Sequence, residues 1–497
     1  MIKIGPAFGL LSLLVVGGCQ GASVPPASPR AATVVHATAP AQSPAVPGGH
    51  VEFESSSKVL RPPRVPTSGE APPAVWFATP DGWSGFAVQD VDGTETINGG
   101  FDYTVGLKVS ERGLDETALL GQLVTVGIQL DKERRRYLNG HVTSVGRDPG
   151  ESADTFRVQI EPWTALLSRT ANCMVFERAG AAGILRRVFD RYAFASYRVS
   201  LGGSYPVFDF FAQYRETDLN LIQRVVEDVG VTTFFEHEAT RHTLVLVDGP
   251  HGYPTMIPAA TLQLGTEAGN LRDVQSSWAL RATRYRLRAS DVRESEVVFE
   301  STGQTPRAHG PNPLEIYDFE QGPRNQRDMD FYAQLRAEEN QSRARTLWGV
   351  LDDVARAGMS FTLAGHPAPA WNGSYLVVSS QVRVRMSSTG DVSARSSIGA
   401  APLDSPYRPS RRTAVPVING PQLATVVAAG GEARDGHMKV RFHWSARTPD
   451  QEVWLPMTRT MSSGPAPAPG SQVLVQFLEG DASRPLVSDV LQRRPTP

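Results

Sequence analysis

Gln213-Tyr214-Arg215-Glu216-Thr217-Asp218-Leu219-Asn220-Leu221-Ile222-Gln223-Arg224-Val225-Val226-Glu227-Asp228-Val229-Gly230-Val231-Thr232-Thr233-Phe234-Phe235-Glu236-His237 holds a complete helix signal followed by a strand signal. The Thr217 hydroxyl can accept from an unpaired backbone N–H of a first helical turn. Leu221, Val225 and Val229 then fall on one helical face, and Gly230 supplies a stop. Thr233–His237 and Thr243–Val247 return to strand. A short helix set among strands predicts a mainly β, α+β fold.

Upstream, Phe101–Val109 alternates apolar and polar residues, as a strand with one buried face must. Leu123–Leu130 and Phe156–Ile160 repeat the pattern. Asn139-Gly140, between Arg136-Tyr137-Leu138 and His141–Val145, predicts a hairpin turn, because type I′ turns need positive φ at both central residues. Strands at such short intervals predict a barrel or sandwich. Ile184, Leu185, Val188 and Phe189 predict a helix over Ala181–Tyr192. A longer helix is expected from about Arg327 to Val354, interrupted by Gly349, with strands at Ser360–Leu363 and Tyr375–Val378. After a basic, Pro-marked linker, Gln422–Val427, His437–Trp444, Glu452–Met457 and Ser471–Leu478 read as a compact β module. Met438, Val440, Phe442 and Trp444 share one face of its clearest strand.

An ordered series carries a resemblance. Gly203–Pro206, Gln213–Leu219, Val229–His237 and His242–Leu246 resemble the hub region of VgrG proteins, the spikes of type VI secretion systems. Leu120-Gly121-Gln122, Tyr137–Val142, Pro162-Trp163, Ala364–Pro367 and Asn372–Val377 fit the same family. Lys439–Trp444 and Phe477–Pro485 resemble its OB-fold collar. The resemblance covers about residues 80 to 490. It singles out Gln213, Tyr214, Arg215, Glu216, Asp218, Phe234, Phe235, Phe442, His443, Trp444, Gly480, Asp481, Arg484 and Pro485 as family-motif residues with structural roles.

The resemblance implies phage tail hub-like tandem β-barrel domains followed by an OB-fold. The hub is expected over 76–405: a first barrel at about 80–170, a helical insertion at about 175–230, and a second barrel with a long helix at about 231–400. A linker at 406–421 and a collar at 422–491 follow. The implied partners are two further copies of the chain in a homotrimer, an inner-tube Hcp-like protein, baseplate proteins, and effector or adaptor proteins. The implied destination is outside the cell, through the secretion apparatus. Ser462–Gly470 departs from the Gly/Trp-rich run usual before the last collar strands. The chain stops at Pro497, where typical members continue into a repetitive β-helix needle, so a hub and collar without a needle are expected.

The first residues read differently. Lys3, the apolar run Ala7–Val16 and the lipobox-like Val16-Gly17-Gly18-Cys19 read as an export signal over 1–18, with Cys19 the lipidation candidate. The run is too short to span a bilayer. A start codon placed too far upstream is the competing explanation. Residues 19–75, rich in Ala, Pro and Ser, predict a flexible linker. A lipid on Cys19 would anchor the chain to a membrane and make it an envelope lipoprotein instead of an injected part.

Composition excludes several function classes. Of 497 residues, 49 are Lys or Arg and 51 Asp or Glu, a net charge of −2. Nucleic-acid binding, which needs a basic surface, is not expected even of the OB-fold. The two cysteines, Cys19 and Cys173, make no disulfide framework; Cys173 reads as a buried structural thiol. His237 and His242 are five apart, in a strand–turn–strand setting, and so miss the i, i+4 spacing of a helical zinc motif. His366 reads as a turn residue. No P-loop or nucleophile elbow occurs. No catalytic residue, metal or cofactor is expected.

Overall fold

The computed structural model describes residues 51–55, 61–67, 69–109, 115–147, 154–256, 260–267, 269–290, 298–306, 314–319, 325–387, 389–429, 436–445, 451–463 and 465–491. The expected signal, Cys19 and the first part of the expected linker lie outside these residues. Among the described residues, no helix is long and apolar enough to cross a membrane.

A twelve-stranded sheet forms the body of the expected hub. Its antiparallel strands Phe86–Thr96, Gly100–Val109, Thr155–Glu161, Arg135–Arg147, Leu123–Gln129 and Val75–Ala78 wrap the first core. The long strand Gly373–Met386 pairs with Phe86–Thr96 and carries the sheet into the second half of the hub. The two expected barrels therefore share hydrogen-bonded strands. A four-stranded sheet, a two-stranded sheet and the helices Ala181–Phe189 and Asp218–Asp228 pack against the first half. Five antiparallel strands, Gln422–Ala429, His437–Phe442, Glu452–Pro456, Gln472–Phe477 and Pro485–Leu491, form a separate sheet over the expected collar. A bridge between Met457 and Val487 draws its outer strands together, as the small barrel of an OB-fold requires.

The structure corrects several expectations. Asn139 and Gly140 lie inside the strand Arg135–Arg147, and neither has positive φ. The turn sits earlier: Asp131 accepts the N–H groups of Glu133 and Arg134, both at 2.9 Å, which hold its carboxyl down at about 2. Burial outweighs turn propensity here. A Cβ on Gly140 would lie 2.6 Å from Ile160 and 2.9 Å from Phe101. The expected helix over 327–354 ends early: Gln326–Gln341 is helical, but Arg345–Leu351 is a strand. Arg345, Leu347, Gly349 and Leu351 alternate inward, and Gly349 lets Leu271 approach. The segment 175–230, expected as a helical insertion, carries the helices Ala181–Phe189 and Asp218–Asp228 but also strands, because Ala171–Gly180 pairs with Val207–Thr217. Within the expected linker, Val51–Glu54 is a strand. The collar strand stops at Phe442, and His443–Ser445 turns as a 3₁₀ helix. Cys173 is half-buried.

Two histidines are fixed in the first core. The His242 Nδ1–H donates to Asn139 Oδ1 at 2.7 Å, while its Nε2 accepts the Trp163 N–H at 2.8 Å. That pairing requires the neutral ring. His237 Nδ1 lies 3.1 Å from both the amide nitrogen and the carbonyl oxygen of Asn139. Burial drives both histidines far below their usual range; the charges of Arg136, His242 and Arg356 add to the effect on His237, and His141 to that on His242. The unfolded chain binds these protons below about pH 6.5 and the folded chain does not. Stability should therefore fall on acidification, by up to about 1.4 kcal/mol per histidine per pH unit below that point. Urea midpoints measured between pH 7.5 and 5 should show this slope, and His242→Asn should flatten it; an unchanged slope would assign the acid sensitivity elsewhere.

Candidate functional site: the joint between hub and collar

The opening stretch of sequence turns out to connect two cores. In the strand Val207–Thr217, side chains point alternately to opposite faces. Phe211 enters the hub core, whereas Phe210 and Ala212 enter the collar core, with Tyr214 packed against it. Phe210 meets Phe442 and Phe477 at ring distances of 6.1 and 6.4 Å, and Tyr214 meets Trp444 at 5.5 Å. Phe442 and Trp444 stack at 4.6 Å. From the neighbouring strand, the Val175 N–H donates to the buried Gln451 Oε1 at 2.7 Å.

A β-bulge sets the polar side of the joint. The register slips between Tyr214 and Glu216, and Arg215 takes a left-handed φ of 49°. One extra residue shifts the alternation by one. Arg215 is thereby left exposed, its guanidinium 5.3 Å from the Tyr214 ring, and Glu216 falls on the hub face. There Arg224 donates to Glu216 through Nε at 3.0 Å and Nη2 at 2.6 Å, to the Ala212 carbonyl at 2.6 Å, and covers the Phe211 ring at 4.2 Å. Gln213 Nε2 donates to Asp218 Oδ1 at 2.6 Å. Asp218 also accepts from Tyr192, Asn172 and Arg191. Thr217 caps the following helix by accepting from the Asn220 N–H at 3.1 Å, as the sequence predicts, and Gly230 ends it at φ 69°.

The segment 406–421 is a strap. Glu227 accepts the Arg412 and Thr413 N–H groups at 2.8 and 2.9 Å, and the Thr413 hydroxyl at 2.9 Å. Arg408 is tied to Glu338 at 2.8 Å, and Ile418 is buried in the collar core. Glu479 and Gly480 take left-handed φ, which brings Gly480 against Val417. Asp481 accepts from Ser483 at 2.8 Å and pairs with Arg484 at 3.1 Å; Pro485 opposes Phe477. His443 lies 3.2 Å from the Thr425 hydroxyl.

Not every motif residue belongs to the joint. Phe234 packs on Tyr253 and Gly358, and Phe235 meets Phe101 edge-on at 5.2 Å, inside the hub. Sequence reasoning missed Arg224, Glu227 and Gln451. An arginine three residues after Leu221, beside the apolar face of a short helix, was the available signal for a buried ion pair. A cleft of about 480 Å³ opens beside the joint, lined by residues that include Phe208, Tyr332, Arg411, Trp454 and Leu486. Among the described residues, no cluster of His, Cys, Asp or Glu could hold a metal.

Residues 94–388 match the family described as phage tail baseplate hub (GPD). The chain belongs to that family. It is 30% identical over 430 residues to the type VI secretion system spike protein VgrG1c of Pseudomonas aeruginosa, covering 81% of this chain and 59% of the relative. VgrG1b of the same organism is 28% identical over 429 residues, covering 81% and 58%. The chain thus spans less than three fifths of the length of both relatives. The E. coli c3393 protein, described as a type VI secretion component with structural similarity to T4 tail proteins gp27 and gp5, superposes with a TM-score of 0.61 at 19% identity. That match covers 82% of this chain and 97% of the other. The chain is VgrG-like in sequence and hub-like in fold.

Glu216→Ala should leave the Arg224 charge buried and unpaired, at a cost of about 3 to 5 kcal/mol. Glu216→Ala combined with Arg224→Met should cost less than the two single changes summed. Urea unfolding followed by tryptophan fluorescence measures the cycle, and strict additivity would mean that the pair is not coupled.

Proposed function

We propose that this chain is the hub and collar of a type VI secretion spike. Its hub, about 76–405, assembles with two further copies into a ring that caps an Hcp-like inner tube, and the collar, 422–491, continues the axis. It engages baseplate proteins during assembly and is expelled with the tube. Effector or adaptor proteins are further partners of this reading. The observation that carries it is the joint: the motif strand is buried in both cores, so hub and collar form a single stiff body able to transmit thrust. The relatives that the chain matches over about 430 residues are spike proteins.

The motif residues Gln213, Glu216, Asp218, Phe442, Trp444 and Asp481 act structurally in this reading, and the hub and collar do no chemistry. Light scattering coupled to size exclusion, on a chain beginning at Val51, should give about three times the mass of one chain. A strictly monomeric species at high concentration would sink the proposal.

A second reading rests on Val16-Gly17-Gly18-Cys19: an envelope lipoprotein that reuses the hub fold. Export before assembly would separate the chain from a tube that loads in the cytoplasm. Detergent-phase partitioning of the wild type and Cys19→Ala separates the two readings. A membrane fraction lost in Cys19→Ala supports the lipoprotein, and no lipid-dependent fraction removes it.

A further inference from the structure

The strand Val51–Glu54 precedes the first strand of the large sheet by about twenty residues, yet it is part of the hub. It pairs antiparallel with Tyr197–Leu201, Val51 opposite Leu201 and Glu54 opposite Arg198. On its other side, Tyr197–Leu201 pairs with His242–Val247. Without Val51–Glu54, Tyr197–Leu201 would be a free edge, open to any strand with matching side chains. Ser55 extends the pairing: its N–H donates to the Tyr197 carbonyl at 3.0 Å, and its hydroxyl accepts the Tyr197 N–H at 3.2 Å.

The side chains alternate to match. Val51 and Phe53 pack against the hub core, while Glu52 and Glu54 are exposed. The Phe53 ring sits edge-on to Tyr197 at 6.0 Å, with the Arg186 guanidinium 5.4 Å from its centre.

We propose that the Tyr197–Leu201 edge is a strand-docking site for an extended apolar-x-aromatic segment, occupied in this chain by its own Val51-Glu52-Phe53-Glu54. Main-chain hydrogen bonds hold the ligand, and the contacts to Val51 and Phe53 select it. The clip has two consequences. Any load or anchor on residues 1–50 is delivered to the hub at Tyr197–Leu201 instead of at Val75. While the clip is seated, the edge is also closed to strands from other chains.

Two measurements on the full chain test this. Glu52 and Ser200 are directly opposed, at a spacing that antiparallel pairs share with disulfides. With Cys19 and Cys173 both replaced by Ser, Glu52→Cys plus Ser200→Cys should close a disulfide within one chain under mild oxidation, seen as a mobility shift on a non-reducing gel. No closure, or closure only between chains, overturns the proposal. In the second test, a labelled synthetic peptide with the sequence of residues 48–56 is titrated in fluorescence anisotropy. It should bind the Phe53→Asp chain at least ten-fold more tightly than the intact chain, whose own strand competes, and the same peptide carrying Asp at position 53 should not bind. Equal binding to both chains, or binding to neither, also overturns it. The disulfide test does not depend on how well the Phe53→Asp chain folds.

Discussion

The strand Val207–Thr217 has no solvent side over its central residues, and the rest of the molecule follows from that constraint. Phe211 and Gln213 require the hub, and Phe210 and Ala212 require the collar. Removing either body would expose large apolar side chains and backbone that the other body cannot cover. A buried phenylalanine is worth roughly 1.5 to 3 kcal/mol relative to an exposed one. The strand, with Val175 of its neighbour beside it, thus couples two cores that the strap also joins.

The bulge at Arg215 makes the two-sided burial compatible with charge. In regular alternation, residue 215 would face the hub and Glu216 the collar, which would set a carboxylate against Phe442 and Trp444. The extra residue sends Arg215 to solvent and gives Glu216 to Arg224. The strap then repeats the logic from the other end. Glu227, on the same helix as Arg224, takes the N–H groups of Arg412 and Thr413, so the chain's return to the collar is held against the helix that the motif strand leads into.

Much of this was legible in the sequence because local patterns and tertiary demands agree. The Thr217 cap, the Leu221–Val225–Val229 face and the Gly230 stop predict the helix that forms. The alternation of His437–Phe442 predicts its strand. The failures have physical causes. Asn139-Gly140 has strong turn propensity, but close packing against Ile160 and Phe101 demands a small residue in a strand. Arg345–Leu351 follows a real helix without a proline to mark the change, and only the period-two burial of Arg345, Leu347 and Leu351 declares a strand. Val51–Glu54 is a four-residue amphipathic segment in Pro-rich surroundings, where composition outweighs pattern. The joint was legible as a motif but not as a joint, because its second half lies more than two hundred residues away in Phe442, Gln451 and Phe477.

The motif is rich in residues that elsewhere do chemistry, so what they face decides their role. Glu216 is taken up by Arg224 and Asn220, Asp218 by Gln213, Asn172, Tyr192 and Arg191, and Glu227 by the strap. A general acid or base must present a proton or a lone pair to a reacting group within hydrogen-bond reach. These carboxylates spend their acceptor capacity on the protein itself: hub residues hold Glu216 and Asp218, and the strap holds Glu227. Buried ion pairs add little net stability over well-packed apolar residues, but breaking one is expensive. The Glu227 contacts penalise any path of the strap other than the one that completes them. What these contacts add is selectivity more than additional stability.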